Sequence, residues 1–268
     1  MSEDATSEYM TSVTALRVAR EGNDVRDEAI ACEVPVVVRF GSEAFSLTCT
    51  PCDLEDLAYG LSFSSGYIER ASDVKAVAVC KEADGYLIAV ELAHGVFRRN
   101  SGAPVPAGPC SADTIPSLPG LDVACLPLGP CVAPEAIWEA SDELFGLQGM
   151  HQDTGATHAA MFVECTTGHR IVREDIGRHI AIDKLIGALL REGIEPSAGF
   201  MFLSSRCALD LAIRCARFGI AIVATISAPT SAVVEFGERV GMTLAAFARK
   251  DRFTVYTHPE RIATEKPC

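Results

Sequence analysis

The sequence predicts an α/β protein, with a regular α/β unit in the C-terminal half and a smaller α+β unit before it. Three observations carry that expectation. After Pro134, apolar strand-like runs alternate with helical periodicity, the pattern of crossover units and a largely parallel sheet. Before Ser101, a hairpin pattern, one amphipathic helix and two further strands follow one another. Between them, 101–133 is rich in Pro and Gly, holds Cys110, Cys125 and Cys131, and shows no sustained period. Stretches of that length without secondary structure are uncommon in compact proteins and often functional, so the boundary between units is expected there.

In order along the chain, 1–33 is polar and acidic and reads as an extended lead-in. Val36-Val37-Val38-Arg39-Phe40, a turn at Gly41-Ser42 and Ala44-Phe45-Ser46-Leu47-Thr48 form a hairpin within 34–50. Thr50-Pro51 followed by acids is a helix start. Leu54, Leu57, Ala58 and Leu61 then give one apolar stripe that ends near Gly66. Strands are expected over 74–80 and 86–93. Beyond the boundary, at 134–268, helices are expected over 135–147, 178–191, 206–217 and 230–240. Strands are expected over 159–164, 170–174, 199–203, 220–226, 243–248 and 253–257.

Composition narrows the function. The chain has 268 residues, 49% of them apolar, enough for a substantial core. A net charge of −13 disfavours nucleic acid, where affinity comes from Lys and Arg neutralising phosphates. No apolar run reaches the ~18 residues needed to span a bilayer. The start, Met1-Ser2-Glu3-Asp4-Ala5-Thr6, lacks the basic and apolar regions of a signal peptide, so a cytoplasmic protein is expected. Eleven cysteines is an odd number, and a reducing compartment argues against a disulfide scaffold.

Three junctions break the rules for a quiet helix start. They are Arg173-Glu174-Asp175-Ile176-Gly177-Arg178-His179, Ser204-Ser205-Arg206 and Ser227-Ala228-Pro229-Thr230-Ser231. Helix N-termini favour acids, yet Arg178, His179 and Arg206 are cationic and stand beside hydroxyls and free backbone N–H groups. Donors and cations at helix starts suit phosphate. In open α/β sheets such sites lie beyond the carboxyl ends of strands. The competing explanation is ordinary N-capping by Asp175, Ser205 and Ser227.

Among the thiols, Cys49-Thr50-Pro51-Cys52 is a C-x-x-C at a helix start, but no second C-x-x-C completes a structural zinc site. Cys110, in Ala107-Gly108-Pro109-Cys110-Ser111, lies on the Gly/Pro-bounded stretch, where a thiol is free to move between a donor and an acceptor. Cys125 and Cys131 share that stretch, and position alone does not choose among the three. His158 precedes an apolar strand and reads either as a ligand contact or as a strand-end histidine bonded to backbone. Zinc deamination requires H-x-E followed by P-C-x-x-C. The sole H-x-E, His258-Pro259-Glu260, has no C-x-x-C after it, so no zinc is expected. G-x-S-x-G is absent too, leaving a serine hydrolase unsupported.

These segments resemble the formate dehydrogenase accessory sulfurtransferases. The matching residues are Thr50-Pro51 with Asp53-Leu54-Glu55, Thr154-Gly155-Ala156-Thr157-His158-Ala159-Ala160, and Arg173 to His179 continuing to Asp183-Lys184-Leu185-Ile186-Gly187. Ser204-Ser205-Arg206, Ser227 to Ser231, Phe247-x-Arg249 and Tyr256-Thr257-His258-Pro259 match as well, so the resemblance runs from about Pro35 to Arg261. It implies a cytidine-deaminase-like α/β C-terminal domain without the zinc chemistry. It also implies a sulfur carrier, loaded by a cysteine desulfurase on a loop cysteine. The sulfur would pass to the molybdenum bis(molybdopterin guanine dinucleotide) cofactor, bound as substrate, before insertion into apo formate dehydrogenase. Binding would fall to Phe247, Ala248, Arg249, Lys250, Asp251 and Arg252 with His158, Arg178, His179, Ser204, Ser205, Arg206, Ser227 and Thr230, and GDP or GMP would mimic the cofactor. Two matching pockets per assembly would suit a homodimer.

One departure matters. The family's loop pattern C-G-x-C-G is matched by Ala107-Gly108-Pro109-Cys110-Ser111, with alanine at the first cysteine position. Either Cys110 alone carries sulfur, or Cys125 or Cys131 substitutes, or the chain binds cofactor without transferring sulfur. A carrier needs only one nucleophilic thiolate, which makes Cys110 the expected catalytic residue.

Overall fold

The structure, a computed structural model, describes residues 8–93, 123–127 and 129–264. It opens with a two-stranded antiparallel ribbon, β1 (Met10–Ala19) and β2 (Gly22–Ala31), where an extended lead-in was expected. The alternation that marks a half-buried strand is missing because most of the ribbon faces solvent on both sides. Only its foot is anchored: β2 packs on a short helix introduced below, and Tyr9 Oη donates to Asp153 Oδ2 at 2.9 Å.

Next comes a four-stranded sheet in the order β4-β3-β6-β5, from β3 (Val34–Phe40), β4 (Glu43–Cys49), β5 (Val74–Glu82) and β6 (Gly85–Leu92). The expected hairpin is present as β3 and β4, and β3 also pairs in parallel with β6. Val36, Val38 and Phe40 alternate inward along β3, against Leu57, Ala58 and Leu61 of helix α1 (Leu54–Ser64).

The second sheet has six strands in the order β12-β11-β10-β9-β7-β8. These are β7 (His158–Glu164), β8 (Arg170–Asp175), β9 (Gly199–Leu203), β10 (Ile222–Thr225), β11 (Thr243–Arg249) and β12 (Arg252–Thr257). β9, β10 and β11 are parallel, while β7 and β12 run against their neighbours, so β8 points the same way as β9. One face carries α4 (Arg178–Glu192), α5 (Leu209–Phe218) and α6 (Ser231–Val240). The other is covered by α2 (Pro134–Leu147). Buried on both sides, the strands send alternate residues to two cores: Met201 and Leu203 to one, Phe200 and Phe202 to the other.

Two helical expectations change. α3 (Gly149–Thr154) was not foreseen; its first N–H groups, on Met150 and His151, donate to the Glu174 carboxylate at 3.0 and 2.9 Å. α5 begins at Leu209, not at 206. The preceding residues are held sideways: Thr225 Oγ1 donates to the Ser205 carbonyl, and Cys207 bridges to Pro229 of the next junction. The expected boundary, 101–133, falls mostly outside the described residues.

The two sheets meet through α1 and α4. A β-carbon at Gly60 would lie 1.6 Å from the Asp183 carbonyl oxygen, and one at Gly187 would lie 1.8 Å from that of Asp56. Only glycine lets the two backbones approach so closely. Around this contact Asp56 accepts from Arg173 Nε at 2.7 Å and from Arg191, while Asp183 accepts from Ser64 Oγ at 2.6 Å and Arg214 at 2.7 Å. Gly187→Val must therefore drive the helices apart. Overpacking costs ~1–3 kcal/mol and occasionally more, and because backbone cannot rotate away, the loss in urea unfolding should reach at least the top of that range. An unchanged midpoint would contradict the close contact.

Candidate functional site

The direction of the strands brings five chain segments to one edge of the six-stranded sheet. β8, β9, β10 and β11 end there, and antiparallel β7 begins there, with His158 opposite Asp175 and Ala160 opposite Leu203. The three junctions singled out in the sequence follow β8, β9 and β10, so they share this edge; β9 and β10 are adjacent, and the start of β7 lies between β8 and β9.

Within Arg173–His179 each residue has a separate task. Arg173 binds Asp56 across the seam, and buried Glu174 holds the start of α3 and accepts from Thr157 Oγ1 at 2.7 Å. Asp175, fully buried, accepts from the Thr50 N–H at 3.0 Å, Thr50 Oγ1 at 2.8 Å and Lys184 Nζ at 2.8 Å. Its other oxygen accepts from Gly177 N–H at 2.8 Å. Burial works against the charge on Lys184, but Asp175 together with the Cys52 and Cys49 thiols outweighs it, and the ammonium is held more firmly than usual. Arg178 and His179 then open α4 with no side-chain cap. Arg178 Nε is buried without a hydrogen-bond partner among the described residues. A buried guanidinium donor left open at a helix N-terminus is poised for an anion.

His179 Nε2 donates to Asp210 in the first turn of α5. Burial opposes ionisation of Asp210, yet the His179 bond together with the charges of His179, Arg214 and Arg178 prevails and lowers its pKa. Asp210 was not singled out in the sequence, where an acid in the first turn of a helix attracts no notice. Half-buried His158 is held below the usual histidine range by burial and then by the charge of Arg178. Ser204 sits beside it, its Oγ accepting from Ala159 N–H at 2.8 Å.

The other site residues divide into exposed groups and supports. Arg206 is exposed and Thr230 is the exposed N-cap position of α6, without a side-chain cap bond. Ser205 is buried, its hydroxyl turned to the Arg206 carbonyl at 3.1 Å. The Ser227 carbonyl accepts from Phe247 N–H at 3.3 Å, tying the third junction to β11. Neither Ser205 nor Ser227 caps a helix; the N-caps are Gly177, Ala208 and Thr230. Phe247 sits in a β-bulge with φ +54° and its ring 45% exposed. Left-handed backbone at a bulky residue is rare and concentrates at ligand sites. Ala248 is fully buried and offers only its carbonyl, which already binds Ser141 and Arg249. Arg249 also donates to the Ile226 carbonyl at 2.7 Å. Lys250 and Asp251 form the exposed turn to Arg252, and a groove of about 250 Å³ runs between Phe247, Arg249, Arg252, Phe253 and Thr254.

Of the thiols, Cys110 and its neighbours from Ala107 to Ser111 lie outside the described residues. Cys49 is buried in the first core, and burial pushes its pKa up to about 12. Cys52, half-buried, lies 3.7 Å from Lys184 Nζ and 3.4 Å from Thr50 Oγ1, and burial raises its pKa too. Among the described residues, no group of three or more His, Cys, Asp or Glu stands ready to hold a metal ion.

Residues 31–263 match the model of the FdhD/NarQ family. The chain belongs to that family. It is 38% identical over 269 residues to the sulfur carrier protein FdhD of Chromobacterium violaceum, covering 95% of this chain and 97% of that one. The corresponding protein of Bordetella petrii is 32% identical over 263 residues, covering 94% and 92%. A crystal structure described as a candidate formate dehydrogenase accessory protein from Desulfotalea psychrophila superimposes with a TM-score of 0.78 at 26% identity. It covers 95% of this chain and 99% of that one. The crevice residues from His158 to Arg252 all lie inside the family match, whereas most of the β1–β2 ribbon precedes it.

Proton NMR of the histidines tests the electrostatics of this edge. His158 should titrate below 6.5, and His258 above it, because the Glu238 carbonyl and then Glu260 accept from both of its ring nitrogens. With its pKa depressed in the fold, His158 contributes stability above 6.5 that is lost as pH falls. His258, with its pKa raised, contributes below 6.5 and loses that contribution as pH rises through its folded pKa. Inverted midpoints would contradict the placement of Arg178 beside His158.

Proposed function

We propose that this chain is a sulfur carrier serving formate dehydrogenase. It would take persulfide sulfur from a cysteine desulfurase on Cys110 and pass it to the molybdenum bis(molybdopterin guanine dinucleotide) cofactor held at the sheet edge. The observation that carries the reading is the edge itself. A protein of net charge −13 keeps Arg178, with its open buried donor, and His179 after β8, and Arg206 after β9, at one edge of the same sheet. The cofactor's guanine dinucleotide supplies phosphates for those donors, and exposed Phe247 offers a ring for a flat base to stack on.

Loading needs no metal. The Cys110 thiolate attacks the outer sulfur of the donor persulfide; the donor's S–S bond breaks as the new one forms, and the donor leaves as a thiol carrying the proton. The cofactor, with its molybdenum, is substrate, and the crevice residues hold its phosphates and base. A cytoplasmic setting, with the desulfurase and the apo-enzyme both at hand, suits this chemistry.

One observation favours a second reading, a cofactor-binding chaperone without sulfur transfer: Ala107 stands where the family pattern has its first cysteine. Intact mass after incubation with a cysteine desulfurase and cysteine separates the two, with calorimetry of GDP binding alongside. The wild type should gain one transferable sulfur and Cys110→Ser none, both binding GDP alike; Cys125→Ser and Cys131→Ser should load like wild type. Arg206→Ala should load sulfur normally but bind GDP about ten- to a hundredfold more weakly, the effect of losing a charge-assisted contact of ~1.5–3 kcal/mol. GDP binding without any sulfur uptake by wild type would favour the chaperone, and unchanged affinity in Arg206→Ala would remove that residue from the site.

A further inference from the structure

Asp210 is out of keeping with the edge on which it stands. It lies in the first turn of α5 with its side chain 46% exposed, within electrostatic reach of Arg178 and His179. A carboxylate there repels a phosphate ligand, so some gain must offset the repulsion. The free N–H groups of its own helix account for an acid in that turn, but not for its direction. The N-cap, Ala208, makes no side-chain bond, and the Asp210 carboxylate turns away from its own helix to His179 Nε2 of α4.

The tautomer shows what that bond does. Asp210 keeps the proton of a neutral imidazole on Nε2, which leaves Nδ1 an acceptor. In that state Nδ1 repels a phosphate oxygen. With a second proton it becomes a donor and the ring a cation, and the carboxylate favours that charged form. Nδ1 has no hydrogen-bond partner among the described residues, and the side chain is 31% exposed. The charges around the pair come from three elements: Arg178 and Asp183 on α4, Arg214 on α5 and His158 on β7. Asp183 is already engaged by Ser64 and Arg214, and the remaining cations disfavour a further charge on the ring. Asp210 is the group that opposes them with a direct bond.

We infer that Asp210 is a positioning residue of the phosphate site, holding His179 so that Nδ1, once protonated, joins Arg178 as a donor to a diphosphate. The inference rests on the reading of this edge as the place where the cofactor's phosphates bind. It adds that ligand binding and ring protonation are coupled. It also reverses the sign expected from charge alone, because removing this negative charge weakens the binding of an anion.

Calorimetry of GDP binding to the full chain, at about pH 7.5 and about pH 6, brackets the ordinary histidine range of about 6.5 and tests the role. His179→Gln should weaken GDP about tenfold or more, the effect of losing a charge-assisted contact. Asp210→Asn should weaken it several-fold at the higher pH and much less at the lower, where the ring gains its proton unaided. The GDP phosphate and His158 titrate in wild type and variants alike, so the ratio between them isolates His179. In a His179→Gln background, Asp210→Asn should bring no further loss, because Asp210 acts through the ring. Nitrogen-15 spectra of the wild-type histidines give a reading that needs no variant. The neutral His179 ring should carry its proton on Nε2, and GDP should move its titration to higher pH. An Asp210→Asn that binds GDP as tightly as wild type at the higher pH, an equal loss in the His179→Gln background, or a His179 titration unmoved by GDP would each overturn the positioning role and leave the phosphate site standing. A wild type that binds no GDP would overturn both.

Discussion

The fold depends on one buried polar knot. Asp175, at the end of β8, accepts from Thr50 of the N-terminal unit and from Lys184 of α4, and both charged groups are fully buried. Burying an ion pair costs several kcal/mol per ion unless geometry and further hydrogen bonds offset it. Here they do: Lys184 also donates to the Thr50 carbonyl at 3.1 Å and to Thr50 Oγ1 at 2.8 Å, and Asp175 takes the Gly177 N–H. The knot lies beside the glycine contact between α1 and α4, so it joins the two sheets and sets where α4 begins. Since α4 begins with Arg178 and His179, the same knot aims the cationic end of the crevice. Structure and site share one constraint.

This explains how an acidic protein maintains a cationic edge. The acids nearest the site are engaged. Asp175 binds Lys184, Asp183 binds Arg214, Asp56 binds Arg173 and Arg191, and Glu174 binds the start of α3. Arg178 and Arg206 form no such ion pair with a carboxylate among the described residues. Asp210 is the exception, and its bond to His179 fixes one imidazole between two helix starts.

Much of this was legible in the sequence, for identifiable reasons. Strands buried on both faces, such as Phe200-Met201-Phe202-Leu203, and helices such as α4 carry strong periodicity and lie within a residue or two of expectation. At the sheet edge, Arg178 drew notice because it opens α4 where acids are favoured, whereas Arg206 drew notice on a helix start that the structure moves to Leu209. The ribbon was not legible, because strands with two wet faces lack apolar alternation. The start of α5 was misplaced because a lateral Cys207–Pro229 bridge, not local propensity, holds the residues before it. The partnership of Thr50 with Asp175 spans 125 positions, and nothing short-range announces it. Ala248 and Ser205 sit inside matched motifs, but only the fold shows that they support the site from beneath.

The most direct test of the shared constraint is native-state hydrogen exchange on Lys184→Met, which removes the buried ammonium while keeping much of its volume. The Thr50 and Gly177 amides, both donated to Asp175, should lose protection, while amides of β9 and β10 keep theirs. Unchanged protection at Thr50 and Gly177 would contradict the claim that this knot positions the start of α4. So would a uniform loss across both sheets, which would mean that the ion pair supports the whole core and not the site.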